Sequence, residues 1–421
     1  MEMHAFGRLI PYGTAREKLL RAVRPIDRVE EVRVDAAFGR VAAATVRAPI
    51  PIPTFMRTTW DGYALRSEDT RGARAERPVE LAVVGEVFAE QSFPRAIRPG
   101  ESVAIATGGA VPEGADAVVI FEEVDRAGDR VRVPRPIARG DRISPPGHDF
   151  PKGAVLAKRF QPLDAVALGT IAACGIPSVR AYARPIVAIL PNGNELLAPG
   201  ERPAKGRIYE SNNAALSAVI TAAGAIPRPM PPLPDDPARI ERGLRRALGE
   251  ADLVLATGGS SVGERDHLPR ILPKLGPLLF HGIAVRAGKP TLAARAGGKL
   301  VIGMPGHPTS CLVNMYWLVL PVLRKLGRLP GPGWTEATAV LGSDAVAATP
   351  GLATVVPLKF RDGRAYSTYR GSSVITSLAG ATAFAMLRPG QRVVRSGARI
   401  RVYLLDPPLG GSRASVAPRK G

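Results

Sequence analysis

The stretch Ala256-Thr257-Gly258-Gly259-Ser260-Ser261-Val262-Gly263-Glu264-Arg265-Asp266 gathers glycines, hydroxyls and two carboxylates. It follows the apolar run Asp252 to Leu255 and precedes a helical pattern that begins near Leu268. A buried strand feeding such a loop into a helix is suited to anions. Glycines let the backbone approach a ligand, and the free N–H groups and helix dipole favour negative charge. Glu264 and Asp266 would repel a bare phosphate, so amides beside acids point to an anionic substrate handled with a divalent cation. The loop has neither the Gly-Lys-Ser/Thr of a Walker A site nor the dinucleotide G-x-G-x-x-G. A plain strand-to-helix turn would use the same residue types.

Four further loops fall at strand ends or neighbouring rims of the same segment: Pro191-Asn192-Gly193-Asn194-Glu195, Asp235-Asp236-Pro237, Gly288-Lys289-Pro290 and Gly303-Met304-Pro305-Gly306-His307-Pro308. With the first loop they place Glu195, Asp235, Asp236, Glu264, Asp266, Arg286, Lys289 and His307 on one rim. Mixed acids and cations there fit a polyanionic substrate clamped by Arg and Lys, with a divalent metal on the carboxylates. Asp235 and Asp236 before Pro237 equally suit the first turn of a helix. Earlier in the chain, Arg57-Thr58-Thr59-Trp60-Asp61-Gly62-Tyr63-Ala64 contains an Asp-Gly turn signal. A hairpin tip does not need the flanking arginine, paired hydroxyls and tryptophan. The segment Thr107 to Val118 is a second turn-rich loop that enters a strand.

The elements that must position these loops follow from periodicity. Residues 14–24 predict a helix, with Thr14 and Glu17 as a capping box. From about 30 to 145, short β-branched runs between Gly/Pro punctuation predict an all-β module. Residues 162–175 return to helix. Strands Ile186 to Leu190, Asp252 to Ala256 and Leu300 to Met304 alternate with helices Asn212 to Ala223, Ala238 to Leu248, Leu268 to Leu275 and Pro308 to Leu326. That alternation predicts a helix-flanked, parallel sheet with ligands at the carboxyl ends of its strands. After the linker Leu326 to Gly333, Ala337 to Leu405 reads as a small β-barrel or sandwich. Residues 406–421 read as a basic, disordered tail.

Bulk composition narrows the function classes. The 421 residues are 45% hydrophobic and 22% charged, which predicts a globular protein of two to four domains. No apolar run of spanning length occurs and the start carries no secretory pattern, so a cytoplasmic protein without membrane association is expected. Cys174 and Cys311 sit in apolar helical contexts and read as buried hydrophobes. The net charge of +20 invites a nucleic-acid reading. However, the arginine surplus is dispersed and only 5% of residues are aromatic. Without basic-aromatic interleaving for base stacking, no nucleic-acid partner is expected and attraction for small anions is the better reading.

The succession WDGYALRSEDT, ATGGAVPEGADAVV, GHDFPKGAVL, PNGNELLAPGE, GRIYESN, ATGGSSVGERD, AGKPT and GMPGHPTS resembles the MoeA/gephyrin type of molybdopterin molybdenumtransferase. The likeness is collinear over roughly residues 5–405. It implies a multidomain α/β plus β protein: an N-terminal helical linker over 1–182 carrying an inserted β-rich domain at about 45–145, a molybdopterin-binding α/β domain over 183–327 with a mostly parallel sheet, a C-terminal small β-barrel over 334–406, and a tail over 407–421. The implied activity is insertion of molybdate into adenylylated molybdopterin with release of AMP, dependent on Mg2+. The resemblance also implies a cytoplasmic homodimer, with molybdopterin adenylyltransferase and apo-molybdoenzymes as partners.

Carried over by motif, Thr257, Gly258, Gly259, Ser260, Ser261, Val262 and Gly263 would bind the phosphate end, together with Arg286, Pro305, Gly306 and His307. Asp61 from a second subunit, Glu195, Asp236, Asp266 and Lys289 would be catalytic, and Asp149, Glu195, Asp236 and Asp266 would surround the metal. The chain departs from the family pattern at Asn194 (usually Asp), Arg286 to Lys289 (usually Lys-Pro-Gly-Lys), His307 (usually Asn), His148 (usually Glu) and Trp60 (usually Met or Val). These changes leave room for a tungstate-preferring insertase or for a carrier or scaffold that binds molybdopterin without turnover.

Overall fold

A computed structural model describes residues 8–261, 263, 266–346, 351–371, 373–391 and 393–405. The predicted tail, and Val262 and Glu264 of the glycine loop, lie outside the described residues. The chain divides into two compact units. One comprises residues 1–30, 39–41 and 182–421, and the other 31–38 and 42–181.

The larger unit opens with helix α1 (Tyr12–Ala22). Its N-cap is Pro11, with no side-chain cap bond, so the capping box expected at Thr14 is not formed. Thr14 lies inside the first turn because Tyr12 and Ala15 are drawn into the core, which starts the helix earlier than local signals indicate. Then come β1 (Ile186–Pro191), α2 (Asn212–Ala222), β2 (Ile226–Pro229), α3 (Pro237–Glu250), β3 (Leu253–Thr257), α4 (Leu268–Leu275), β4 (Leu278–His281), β5 (Leu292–Ala296), β6 (Lys299–Met304) and α5 (Pro308–Asn314). A π-helical stretch (Met315–Val319) continues α5 into a last helix (Leu320–Leu326).

The sheet order is β2-β1-β3-β6-β5-β4. The first four strands are parallel, and β5 and β4 add an antiparallel edge. That edge was not anticipated. Alternate residues of the central strands feed opposite cores, as a pleated strand requires. Val187, Ile189, Leu253, Leu255, Leu300 and Ile302 pack on the side of α2 and the last helices. Ala188, Leu190, Val254, Ala256 and Val301 pack on the side of α3 and α4. Burial on both faces is why these strands read as unbroken apolar runs.

Beyond residue 333 five strands close on themselves. Ala353–Arg361 pairs with Arg364–Ser367 and with Ala383–Leu387. Trp334–Leu341 pairs with Arg364–Ser367 and with Arg399–Leu405. Arg399–Leu405 returns to Ala383–Leu387, completing a small barrel. The short strand Val285–Arg286, from the α/β segment, pairs with its Ala353 edge. Trp317 joins the same two parts, with ring centroids 4.9 Å from Trp334 and 4.5 Å from Tyr403.

In the smaller unit, a six-stranded sheet runs in the order Ala117–Ile120, Gly62–Leu65, Glu101–Ile105, Val79–Val87, Arg130–Val133, Asp125–Ala127. A helix, Ala165–Ala173, is capped by Asp164, which accepts from the Ala167 amide.

At the start of β3, Asp252 is largely buried. Burial raises its pKa, but two bonds from Arg28 at 2.8 and 2.9 Å and one from the Ile186 amide outweigh this, leaving it below the ordinary range. A depressed folded-state pKa gives stability that is present above the ordinary aspartate value of about 3.9 and is lost as pH falls through the folded value. Asp252→Asn should therefore lower the unfolding free energy by about 1–3 kcal/mol at pH 7, and by progressively less as pH falls below the ordinary aspartate value, in urea titrations.

Candidate functional site

The register of the parallel strands sets the site. Pro191 pairs with Thr257, and Thr257 with Met304, so three strands end at one height. The loops that follow them leave the sheet side by side. β5 starts at the same level, with Leu292 opposite Gly303, which brings the Arg286 to Pro290 loop to the same rim. Together they enclose a cleft of about 560 Å³. Glu195, Thr257 to Ser261, Asp266, Pro290 and Pro305 to Pro308 line it.

Two glycine loops meet at its floor. Gly258 has φ +81°, and a Cβ there would come within 2.3 Å of the Asn192 carbonyl oxygen. A Cβ on Gly306 would sit 3.6 Å from the Gly258 Cα, an ordinary contact. The Gly258 amide donates to the Met304 carbonyl, and the Ser260 hydroxyl donates to the same oxygen. His281 Nε2 donates to the Ser260 carbonyl at 3.3 Å, tying the end of β4 to the loop. The amides of Gly259 and Ser260 have no partner among the described residues and remain available to an anion.

Asp266 is held inside the loop. Its Oδ1 accepts from the Ser261 amide at 3.0 Å and its Oδ2 from the Gly263 amide at 2.9 Å. Two amides expected to face a phosphate are therefore engaged by the loop's own carboxylate. Glu195 turns back over Gly193, where a Cβ would lie 2.6 Å from its carboxylate oxygen. Both acids line the cleft.

Other expected site residues are placed differently. Asp236 is the N-cap of α3, accepting from the Arg239 amide at 2.7 Å, and does not line the cleft. Of its two sequence readings, this is the helix-start one. Asp235 pairs reciprocally with Asn194: the Asn194 amide donates to Asp235 Oδ2 and the Asp235 amide to Asn194 Oδ1. An aspartate at 194 would set a second carboxylate beside Asp235. Arg286 and Lys289 are half-buried, each with contacts of its own, and only the neighbouring Pro290 reaches the lining. Below their loop runs a buried chain of hydrogen bonds. Tyr12 donates to Asn314 Oδ1 at 2.8 Å, and Asn314 Nδ2 donates to Thr291 Oγ1 at 2.6 Å. Thr291 Oγ1 in turn donates to the Gly288 carbonyl at 2.7 Å. Burial pushes the Tyr12 hydroxyl pKa up, keeping it a neutral donor.

Asp61 and Asp149 belong to the smaller unit. Asp61 Oδ1 accepts from the Thr107 amide at 2.6 Å and from its hydroxyl at 2.9 Å, which holds its pKa below the usual range. Asp149 lies 3.6 Å from Arg57 and 3.8 Å from His148. Among the described residues, no group of three His, Cys, Asp or Glu side chains stands close enough to hold a metal by itself. The lining nevertheless suits Mg2+, which takes one or two carboxylates and completes its shell with water and substrate phosphates. Among the described residues, the acids in that lining are Glu195 and Asp266.

Some lining residues escaped the sequence reading. Ser373 comes from the barrel segment, anchored where the Thr309 hydroxyl donates to the Val374 carbonyl at 2.8 Å. Asn212, at the start of α2, donates to the Gly306 carbonyl at 2.9 Å. Nearby Glu210 is buried, which raises its pKa, although the Asn213 amide donates to both its oxygens. The motif Gly206 to Asn212 carried the signal for Glu210 and Asn212; nothing local marks Ser373.

The two glycines make different demands. Gly258→Ala should lose about 1–3 kcal/mol, from its left-handed backbone and the Asn192 carbonyl, and should weaken anion binding. Gly306→Ala should unfold within about 0.5 kcal/mol of the parent. Urea unfolding and calorimetric AMP binding on both variants check this.

Comparison with known proteins places this architecture. Family models match residues 10–175 (MoeA N-terminal region, domains I and II), 188–325 (probable molybdopterin binding domain) and 339–405 (MoeA C-terminal region, domain IV). The molybdopterin molybdenumtransferase of Bacillus subtilis strain 168 is 32% identical over 385 residues, covering 89% of this chain and 90% of that protein. The protein of the same name from Nostoc sp. is 33% identical over 309 residues, covering 72% and 71%. A crystal structure of the molybdopterin biosynthesis MoeA protein from Pyrococcus horikosii superposes with TM-score 0.80 at 32% identity, covering 96% of this chain and 100% of that one. Full-length likeness in sequence and in fold, with each segment matched in order, shows that the chain belongs to the MoeA family.

Proposed function

We propose that the protein is a molybdopterin molybdenumtransferase of molybdenum cofactor biosynthesis, inserting molybdate into adenylylated molybdopterin with release of AMP. One observation carries the reading: the Gly258 loop leaves the Gly259 and Ser260 amides without a partner among the described residues, at a cleft whose wall also holds Glu195 and Asp266. Amides of that kind suit the phosphate of the substrate, and the carboxylates suit a cation. Both substrates are anionic, and molybdate is a tetrahedral dianion. Their approach must be neutralised and oriented, which makes electrostatic preorganisation and positioning the main sources of rate.

Each residue then has a task. The Gly259 and Ser260 amides bind substrate oxygens. Glu195 and Asp266 would hold Mg2+, which when bound would polarise the phosphoanhydride. Lys289 and Arg286 add positive potential at the rim. Asp61, ionised at neutral pH, would come from a second copy in a homodimer. The enzyme would take its substrate from molybdopterin adenylyltransferase and pass product to apo-molybdoenzymes.

Purified protein given adenylylated molybdopterin, Mg2+ and molybdate should release AMP and activate an apo-molybdoenzyme. Absence of AMP release from the unaltered protein would overturn the reading. Asp61→Asn and Asp266→Asn should each lower the rate by at least about 100-fold while leaving the fold intact. In a dimer with shared sites, mixing and reassociating the two variants should restore about a quarter of the parent rate. A monomer by light scattering that still turns over would refute the shared arrangement.

A further inference from the structure

Trp60 has no task in this account, yet it is firmly held at the surface of the smaller unit. Its residue is 54% exposed, unusual for the largest aromatic side chain. Its amide donates to Thr58 Oγ1 at 3.2 Å, and Thr58 Oγ1 donates to the Trp60 carbonyl at 2.7 Å. The Arg142 guanidinium sits over the indole, 5.5 Å from its centroid. Arg142 is itself fixed by a 2.8 Å bond to Glu123, and its backbone takes the left-handed conformation at φ 55°. Its carbonyl accepts from the Thr59 amide at 3.0 Å. A non-glycine residue in that conformation is strained, and strain persists where surrounding bonds over-determine it. Here those bonds hold an indole out in solvent. Beside it, Asp61 is pinned by Thr107 through Oδ1, while Oδ2 has no partner among the described residues.

We propose that Trp60 is a stacking platform for a flat, N–H-bearing heterocycle of the substrate, with Asp61 accepting one of its N–H groups. The proposal rests on the function given above. A braced indole loses little freedom on stacking, and a neighbouring ionised carboxylate selects donor edges over acceptor edges. Adenylylated molybdopterin carries two such rings, adenine and pterin, which share this chemistry.

The test uses the full chain with two probes, AMP and a free pterin, and reads calorimetric affinity together with acrylamide quenching of tryptophan fluorescence. Trp60 is the most exposed of the tryptophans, so a stacked ligand should shield it. The probe that binds better and shields more identifies the ring. Trp60→Ala should weaken that probe by about tenfold or more, and Trp60→Phe by no more than about threefold. Unchanged affinity in Trp60→Ala, or no shielding by either probe, overturns the proposal. So does a loss of affinity that follows dissociation to monomers in light scattering, since Trp60 would then be an interface residue. AMP release by the unaltered protein is measured in parallel. Turnover without any Trp60 effect sinks only this inference, whereas no turnover sinks the function itself.

Discussion

Pro191, Thr257 and Met304 stand level across three parallel strands, and the chemistry of the cleft depends on that alignment. Parallel strands deliver their outgoing loops to one edge. A loop there meets its neighbour only when both strands end at matching heights. Because they do, Gly258 can lie against both the Asn192 carbonyl and Gly306. A side chain at 258 would push the first and second loops apart. The apolar pleats beneath keep the strands from slipping, since a shift of one residue would turn Val254 and Leu255 toward the wrong cores.

Within that frame the acids do several jobs. Asp266 fills the amides of Ser261 and Gly263, which shapes the loop and leaves the Gly259 and Ser260 amides without a partner among the described residues. Asp236 and Asp164 satisfy the first turns of helices, and Glu210 does the same for α2 from a buried position. Carboxylates near a helix start are favoured by the unpaired amides whether or not a substrate is nearby. A count of acids along a rim therefore overstates the set available to a metal. Among the described residues, Glu195 and Asp266 are the acids that line the cleft.

The barrel completes the site from a distance in sequence. Its edge pairs with Val285–Arg286, its Val374 carbonyl holds Thr309 at the start of α5, and Ser373 enters the lining. Trp317, Trp334 and Tyr403 lock the two parts together through edge and tilted ring contacts. A barrel without its own long helix thus becomes a wall of the α/β site.

Local patterns determined much of this protein. Unbroken apolar runs marked the doubly covered strands, Asp-Asp-Pro marked the start of α3, and glycine spacing marked the loops that line the cleft. Those signals are legible because burial, capping and positive φ are imposed on each residue by its immediate neighbours. The antiparallel edge at Leu278–His281 and Leu292–Ala296, the early start of α1, and the use of Asp236 as a cap were settled only in three dimensions. So were the capture of two loop amides by Asp266 and the arrival of Ser373. Each depends on which strand lies beside which and at what register, and that is fixed by cooperative packing of segments up to hundreds of residues apart. No window of neighbouring residues carries that information.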